Sequence, residues 1–383
     1  MTNDAAGPTP LGDRALGPDL ARGLLLLFIA LANSHYFLRG ETRMGGYPTD
    51  GSRIDAAATW AISTFVDGRA FPMFGLLFGY GVAQIVRRQR ALSPRGVRRL
   101  LWRRSLVLVV VGFLHAVLLF AGDILGAYGV LLLLGAWAVR WRDRWLLAVA
   151  AVFFVLVLLP SADSSAIVND PPDLAMLPPD LATMVVERAK SSAFVSLLGP
   201  IGFAGPFALG LWAGRRRVLE QPARHRTLLG LTATLGIGAA ALGAQPIALM
   251  RVGVVDPPKQ TTLELWGPWH DATGVLGGFG YAALVALLAG PLGRRAGRVV
   301  HALVAVGQRS MTCYLAQSVV WAVIFTPFLL DLSGTLSVAS TALVATATWL
   351  LTALLADRMA RTGRRGPFEV LVRRVTYGGS YRG

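Results

Sequence analysis

Stretches of 16 to 23 mostly apolar residues recur along the chain, separated by short polar segments that are in turn strongly basic and mildly acidic. A helix of about 20 apolar residues crosses about 30 Å of hydrocarbon. Ten segments meet or approach that length: 20–38, 69–86, 105–121, 123–139, 145–160, 193–213, 227–249, 273–292, 309–330 and 336–355. The pattern predicts an all-α fold, a polytopic membrane helical bundle of about ten transmembrane helices. Several segments are only 16 to 18 residues long, which leaves room for a re-entrant piece.

The arginines orient the bundle. Between Val86 and Ser105 lie eight arginines and no acidic residue, and positive side chains are retained on the cytoplasmic side. With the N-terminus inside, ten spans place 29 of the 37 basic residues on the inner side and 14 of the 21 acidic residues outside. A wrong number of spans would reverse that bias over half the chain, so both termini are predicted to be cytoplasmic in a multi-pass protein of the cell (plasma) membrane. The expected division is a cytoplasmic segment 1–19, a transmembrane domain 20–355 with outer loops at about 39–68, 161–192 and 250–272, and a basic cytoplasmic tail 356–383. In the proline-rich second outer loop, a short surface helix is expected from Pro179 to Ala189, with the Asp180 carboxylate at its positive end.

Composition removes other classes. At 54% apolar and 15% charged residues, the chain has too little polar surface to coat a soluble globule of this size. A net charge of +16 would suit nucleic acid, but the basic residues are spread in clusters between apolar runs, without the aromatic interleaving of a base-stacking groove. The partner this charge pattern implies is the lipid bilayer with its anionic inner leaflet, and no nucleic acid. A single cysteine, Cys313, excludes an internal disulfide. The polar N-terminal stretch shows no cleavage pattern, so the first helix is expected to be its own insertion signal. Phosphate-loop, zinc-helix and nucleophile-elbow motifs are missing from the sequence, and no residues fall at metal-ligand spacing.

Ionisable and amide side chains within spans are costly and are therefore the first functional candidates. His115 lies ten residues into its predicted span, about 15 Å deep. It suits either a neutral imidazole bonded to a neighbouring helix or a catalytic group. Asp123 has the position of an N-cap for the following span. In the first span Asp19 and Arg22 stand at the inner mouth, and Asn33 lies on the same face about 16 Å further on. Arg22 suits an anionic headgroup or an ordinary inner anchor, and Asn33 a different substrate at the outer mouth. His35 marks the outer boundary. Asp67 and Arg69 form an opposite-charge pair at the start of the second span, and His270 with Asp271 an outer-mouth set in which Asp271 caps the eighth span. Ser310, Tyr314 and Gln317, at i, i+4 and i+7, give the ninth span one polar face, for packing or for a water-filled cavity. His225 and His301, beside arginine clusters, are expected to be solvated.

Two segments carry a family resemblance. VGQRSMTCYLAQSVV resembles the span "G-R-x-S-x-T-x-Y-x-x-Q-S", and GPFEVLVRRVTYG the tail "G-P-x-E-x-x-x-R-x-x-T-Y", of the membrane family called domain of unknown function 418, or YeiB-like. PDLARGLLLL, FPMFGLLFGYG and RRSLVLVVVGFLHAVLLFAGDILGAYG resemble its N-terminal half in the same order, so the likeness covers nearly the whole chain. That family is similar in turn to the transmembrane acyltransferases, including acyltransferase family 3 and heparan α-glucosaminide N-acetyltransferase, which carry an acyl group from cytosolic acyl-CoA to a sugar hydroxyl or amine across the membrane. The "D-x-x-R-G" start and the following asparagine recur as Asp19, Arg22, Gly23 and Asn33. Family 3 enzymes place ten residues between the arginine and a following histidine, whereas twelve residues separate Arg22 from His35 here.

The resemblance implies acyl-CoA as a co-substrate, with no permanently bound cofactor, and an outer small-molecule or saccharide acceptor. His115 or His35 is then the base, and Asp19, Arg22, Asn33, Asp67, Arg69, Asp123, His270, Tyr314 and Gln317 are the candidate substrate-binding set. A small-molecule transporter or exporter, or a non-catalytic membrane scaffold, fits the same residues. A homo-oligomer stays open.

Overall fold

Every segment marked by its apolar run is helical in the computed structural model, which describes residues 16–161, 165–294 and 297–378. Most of the expected N-terminal segment and the last residues of the basic tail lie outside the described residues. Seven stretches are long and apolar enough to cross a bilayer: Leu16–Phe37, Arg53–Arg88, Pro94–Leu118, Leu181–Arg215, Arg226–Arg251, Gln260–Gly293 and Val338–Arg361. The three remaining predicted spans are short helices, α5 (Leu125–Ala138), α6 (Asp143–Val157) and α12 (Ser310–Phe325). Their 14 to 16 residues reach only about 21 to 24 Å. The protein is an all-α membrane bundle whose outward faces are apolar, as Leu106, Val110, Phe113 and Leu114 on one helix and Phe194, Leu197 and Ile201 on another illustrate. Lipid accepts such faces because the backbone polar groups are satisfied within each helix.

The centre is α1 (Leu16–Ser34), flanked by α3 (Ala70–Arg88), α10 (Gln260–Arg294), α11 (Arg298–Gln308), α12 and α13 (Val338–Arg361). Two glycines let α1 and α11 touch backbone to backbone. A Cβ at Gly23 would lie 2.1 Å from the Leu303 carbonyl oxygen, and one at Gly307 would strike the Asp19 carbonyl. On the inner side α11 and α14 (Pro367–Tyr377) are amphipathic helices that the apolar runs alone do not reveal.

The outer loops are more ordered than a span count suggests. Strands β1 (Arg43–Met44), β2 (Tyr47–Pro48) and β3 (Ile167–Val168) form a small antiparallel sheet in the order β2-β1-β3, which ties the first outer loop to the second. Helix α2 (Arg53–Phe65) fills much of the first loop behind a Ser52/Asp55 capping box. The expected short helix at Pro179–Ala189 is instead the outer end of α7, which runs unbroken over Leu181–Arg215. Asp180 is its N-cap: the Thr183 N–H bonds the carboxylate at 2.9 Å and holds it below the usual carboxylate range. The third outer loop shortens in the same way, between α9 (Gln245–Arg251) and α10. Asp271 therefore lies inside α10 and caps nothing.

Candidate functional site

The two family-like motifs meet at the inner end of α12. Glu369 on α14 accepts the backbone N–H groups of Met311 at 2.8 Å and Thr312 at 3.2 Å, and the Thr312 hydroxyl at 2.5 Å. A carboxylate thus caps the positive end of α12 from another helix. Buried Arg309 donates to the Arg364 carbonyl oxygen at 2.6 Å, closing the joint from the other side. Gly366 admits no side chain, since a Cβ there would sit 1.9 Å from Glu369 Oε2 and 2.4 Å from Thr312 Oγ1.

This joint sets Tyr314 one turn into α12, where it lines a cavity of about 280 Å³. Around the mouth stand Arg22 from α1, Arg87 and Arg88 from α3, Arg104 from α4 (Pro94–Leu118) and Arg373 from α14, with Asp19, Glu220 and Glu369 among them. Five guanidinium groups against three carboxylates leave the lining net positive. Arg22 bonds Asp19 at 2.9 Å and the Leu77 carbonyl at 3.3 Å, while Nη2 of Arg87 donates to both Glu220 carboxylate oxygens, at 2.6 and 2.9 Å. Leu25, Leu26, Phe74, Phe78, Leu108 and Leu125 supply apolar walls.

Beyond Tyr314 lies the histidine singled out in the sequence. His115 Nδ1 is 2.7 Å from Asp123 Oδ1, and both residues are buried. The other carboxylate oxygen accepts the Gly126 N–H at 2.9 Å, so Asp123, one residue before the Ile124 N-cap, satisfies a first-turn donor of α5 and also orients the imidazole across the α4–α5 turn. An ionised carboxylate can only accept, so Nδ1 carries a proton, and in the neutral imidazole Nε2 then presents a lone pair. That Nε2 has no hydrogen-bond partner among the described residues. The Tyr314 ring packs against it, with centroids 5.0 Å apart and planes at 49°.

A second polar group occupies the outer end, and its pairing differs from the one expected. Asp67 pairs with Arg251 at 2.7 Å, and Arg69 does not reach its carboxylate. Arg69 instead donates to the Asp67 and Ala240 carbonyls, the latter at 2.7 Å, and its guanidinium lies 3.3 Å from His270 Nε2. As the residue that starts α3, Arg69 sends its side chain away from its near neighbour and toward α8 (Arg226–Gly243) and α10. Arg251 also donates to Ser63 Oγ at 2.9 Å and lies over the Tyr47 ring at 4.7 Å. His35 is fully buried and stacks on Tyr47 at 3.7 Å, with neither ring nitrogen meeting a hydrogen-bond partner among the described residues. Asn33 is half-buried on α1 and does not line the cavity. Gln317 is buried one turn beyond Tyr314, its amide nitrogen without a partner among the described residues. Of the sequence candidates, then, Asp19, Arg22 and Tyr314 meet at the cavity, His115 and Asp123 form a dyad behind it, and Asp67, Arg69, His35 and His270 belong to the outer group. Arg251, Tyr47 and Glu220 join these sites without any local pattern that marks them, whereas Arg104 belongs to the eight-arginine segment and Glu369 and Arg373 to the tail motif, neither of which by itself points to a site.

A lipid-facing helical bundle with a basic inner cavity and a buried histidine–carboxylate dyad defines a multi-pass membrane protein. Residues 213–379 match the family described as Protein of unknown function (DUF418), the part of the chain that holds the α12–α14 joint. The chain is 26% identical to the uncharacterized protein YxaH of Bacillus subtilis (strain 168), over 97% of its own length and 96% of YxaH. It is 34% identical to the uncharacterized protein YeiB of Escherichia coli (strain K12), over 31% of its length and 29% of YeiB. The C-terminal part of the chain thus resembles the DUF418 family, and the chain as a whole is similar to YxaH.

Proposed function

We propose that the protein is a plasma-membrane acyltransferase that moves an acyl group from cytosolic acyl-CoA to a small-molecule or saccharide acceptor at the outer face. What carries the reading is one alignment of features: a cavity with a cationic mouth and apolar walls, ending at a tyrosine packed on a buried His–Asp dyad. The phosphates of CoA suit the arginine-lined mouth. At about 280 Å³ the cavity is small for a whole cofactor and suits the thioester arm, with the nucleotide left at the inner face. At the dyad, Nε2 of His115 takes the proton of the acceptor hydroxyl or amine as that atom bonds to the acyl carbon. The carbon–sulfur bond breaks, and the proton passes from the imidazolium to the leaving thiolate. Asp123 holds the tautomer and offsets the transient imidazolium charge. No covalent acyl-enzyme is needed. Acceptor entry requires the Phe37 ring, stacked on Phe325 and tilted against Phe120, to part from them.

The test is release of free thiol from acetyl-CoA by the full-length protein in lipid nanodiscs, with and without a hydroxyl or amine acceptor. His115→Ala should lower turnover by about 100- to 10,000-fold in a well-inserted protein. Full turnover in that variant would move the base to His35, and an intact thioester with folded wild-type protein would sink the reading. A small-molecule exporter is the second reading, favoured by the separate polar group at the opposite end of the bundle. Transport of an unmodified solute in proteoliposomes would support it.

A further inference from the structure

We propose that the Tyr314 ring is a gate between the inner cavity and His115, so that cavity and dyad are one site divided by a single side chain. Tyr314 belongs to both halves: it lines the cavity and packs 5.0 Å from the imidazole, while His115 itself lines no part of the cavity. The nitrogen it shields is a buried acceptor with no partner among the described residues. Such an atom is unfavourable in a permanently closed core, and a ligand that brings an O–H or N–H to it removes the deficit. The backbone beneath the gate is pinned by Glu369 and Arg309, so opening falls to rotation of the side chain between staggered wells and not to a shift of α12. The ligand class follows from the two ends, an anionic group for the arginine mouth and a hydrogen-bond donor delivered to Nε2. In the acyl-transfer reading, on which this deepening rests for its chemistry, the anionic group belongs to acyl-CoA and the donor to the acceptor. The gate itself is tested by reagent access and not by turnover, so either can fail without the other.

The experiment is carbethoxylation by diethyl pyrocarbonate of the full-length protein in nanodiscs, read at each histidine by peptide mass spectrometry. His301, exposed on α11, is the fast standard, and buried His270 reports opening of the whole fold. In the wild type His115 should react far more slowly than His301. Tyr314→Ala and the milder Tyr314→Leu should each speed His115 by about tenfold or more, the reciprocal of the fraction of time the gate stands open, with His270 unchanged. Tyr314→Phe, which keeps the ring, should stay at the wild-type rate. Adding Gly81→Phe, which obstructs the cavity wall beside Arg22, should restore protection to Tyr314→Ala. The gate is overturned if His115 already matches His301 in the wild type, if neither truncation speeds it, or if His270 accelerates in parallel in both. It is also overturned if Gly81→Phe has no effect, because the reagent then arrives by another route.

Discussion

The inner and outer polar groups use the same residue types to different ends. At the inner end Arg22 and Arg87 each have a carboxylate partner and still border open volume, and the lining keeps a surplus of positive charge. At the outer end Arg251, Asp67, Arg69 and His270 bond to one another and to backbone carbonyls, with Arg69 and Arg251 at 0% and 3% exposure. The histidines follow suit. His115 has one nitrogen fixed and the other available, whereas His35 is sandwiched by aromatic rings. A buried ion pair in a membrane bundle is therefore a weak marker of a site by itself, and gains meaning when it borders space and leaves one oriented atom unused.

Removing one charge from each region separates the two plans. Arg251→Ala should have the largest effect, because it strands the Asp67 carboxylate in a buried position, a loss of about 3 to 5 kcal/mol. Thermal unfolding in detergent would measure it, and a loss below about 1 kcal/mol would remove the structural role given to the outer group. Glu369→Ala should follow at about 2 kcal/mol, since two backbone donors and a hydroxyl lose their acceptor. Hydrogen exchange should localise that loss to 367–377 and the first turn of α12, and uniform exchange across the bundle would argue against the joint. Smallest in stability is Arg88→Ala, an exposed side chain at the cavity mouth, which should stay within about 0.5 kcal/mol of the wild type. The same variant should weaken CoA binding about tenfold by calorimetry, and unchanged affinity would take this arginine out of the phosphate site.

The spans were legible because apolar runs and arginine clusters are local signals. Where the helices outgrow those runs, the physics is tertiary: α10 begins well before its apolar run and continues through Pro268, which membrane helices tolerate when neighbours satisfy the freed backbone groups. Within the site, His115, Asp123 and Tyr314 each stood out as polar residues in apolar surroundings. Their assembly did not, since His115 and Asp123 meet across a turn and Tyr314 arrives from a helix near the other end of the chain. The Asp67–Arg69 spacing suggested a local pair, and the true partner, Arg251, is 184 positions away. Nothing in the composition of either neighbourhood links the two.

The α12–α14 joint also bears on the order in which the protein is made. α14 is synthesised after every spanning helix, yet it supplies Val372, Arg373 and Tyr377 to the cavity wall and Glu369 to the cap of α12. A nascent chain can therefore be threaded through the bilayer, with its topology settled, while its inner cavity still lacks a wall. Insertion and completion of the site are separate events, and the second waits until α14 has cleared the ribosome and docked.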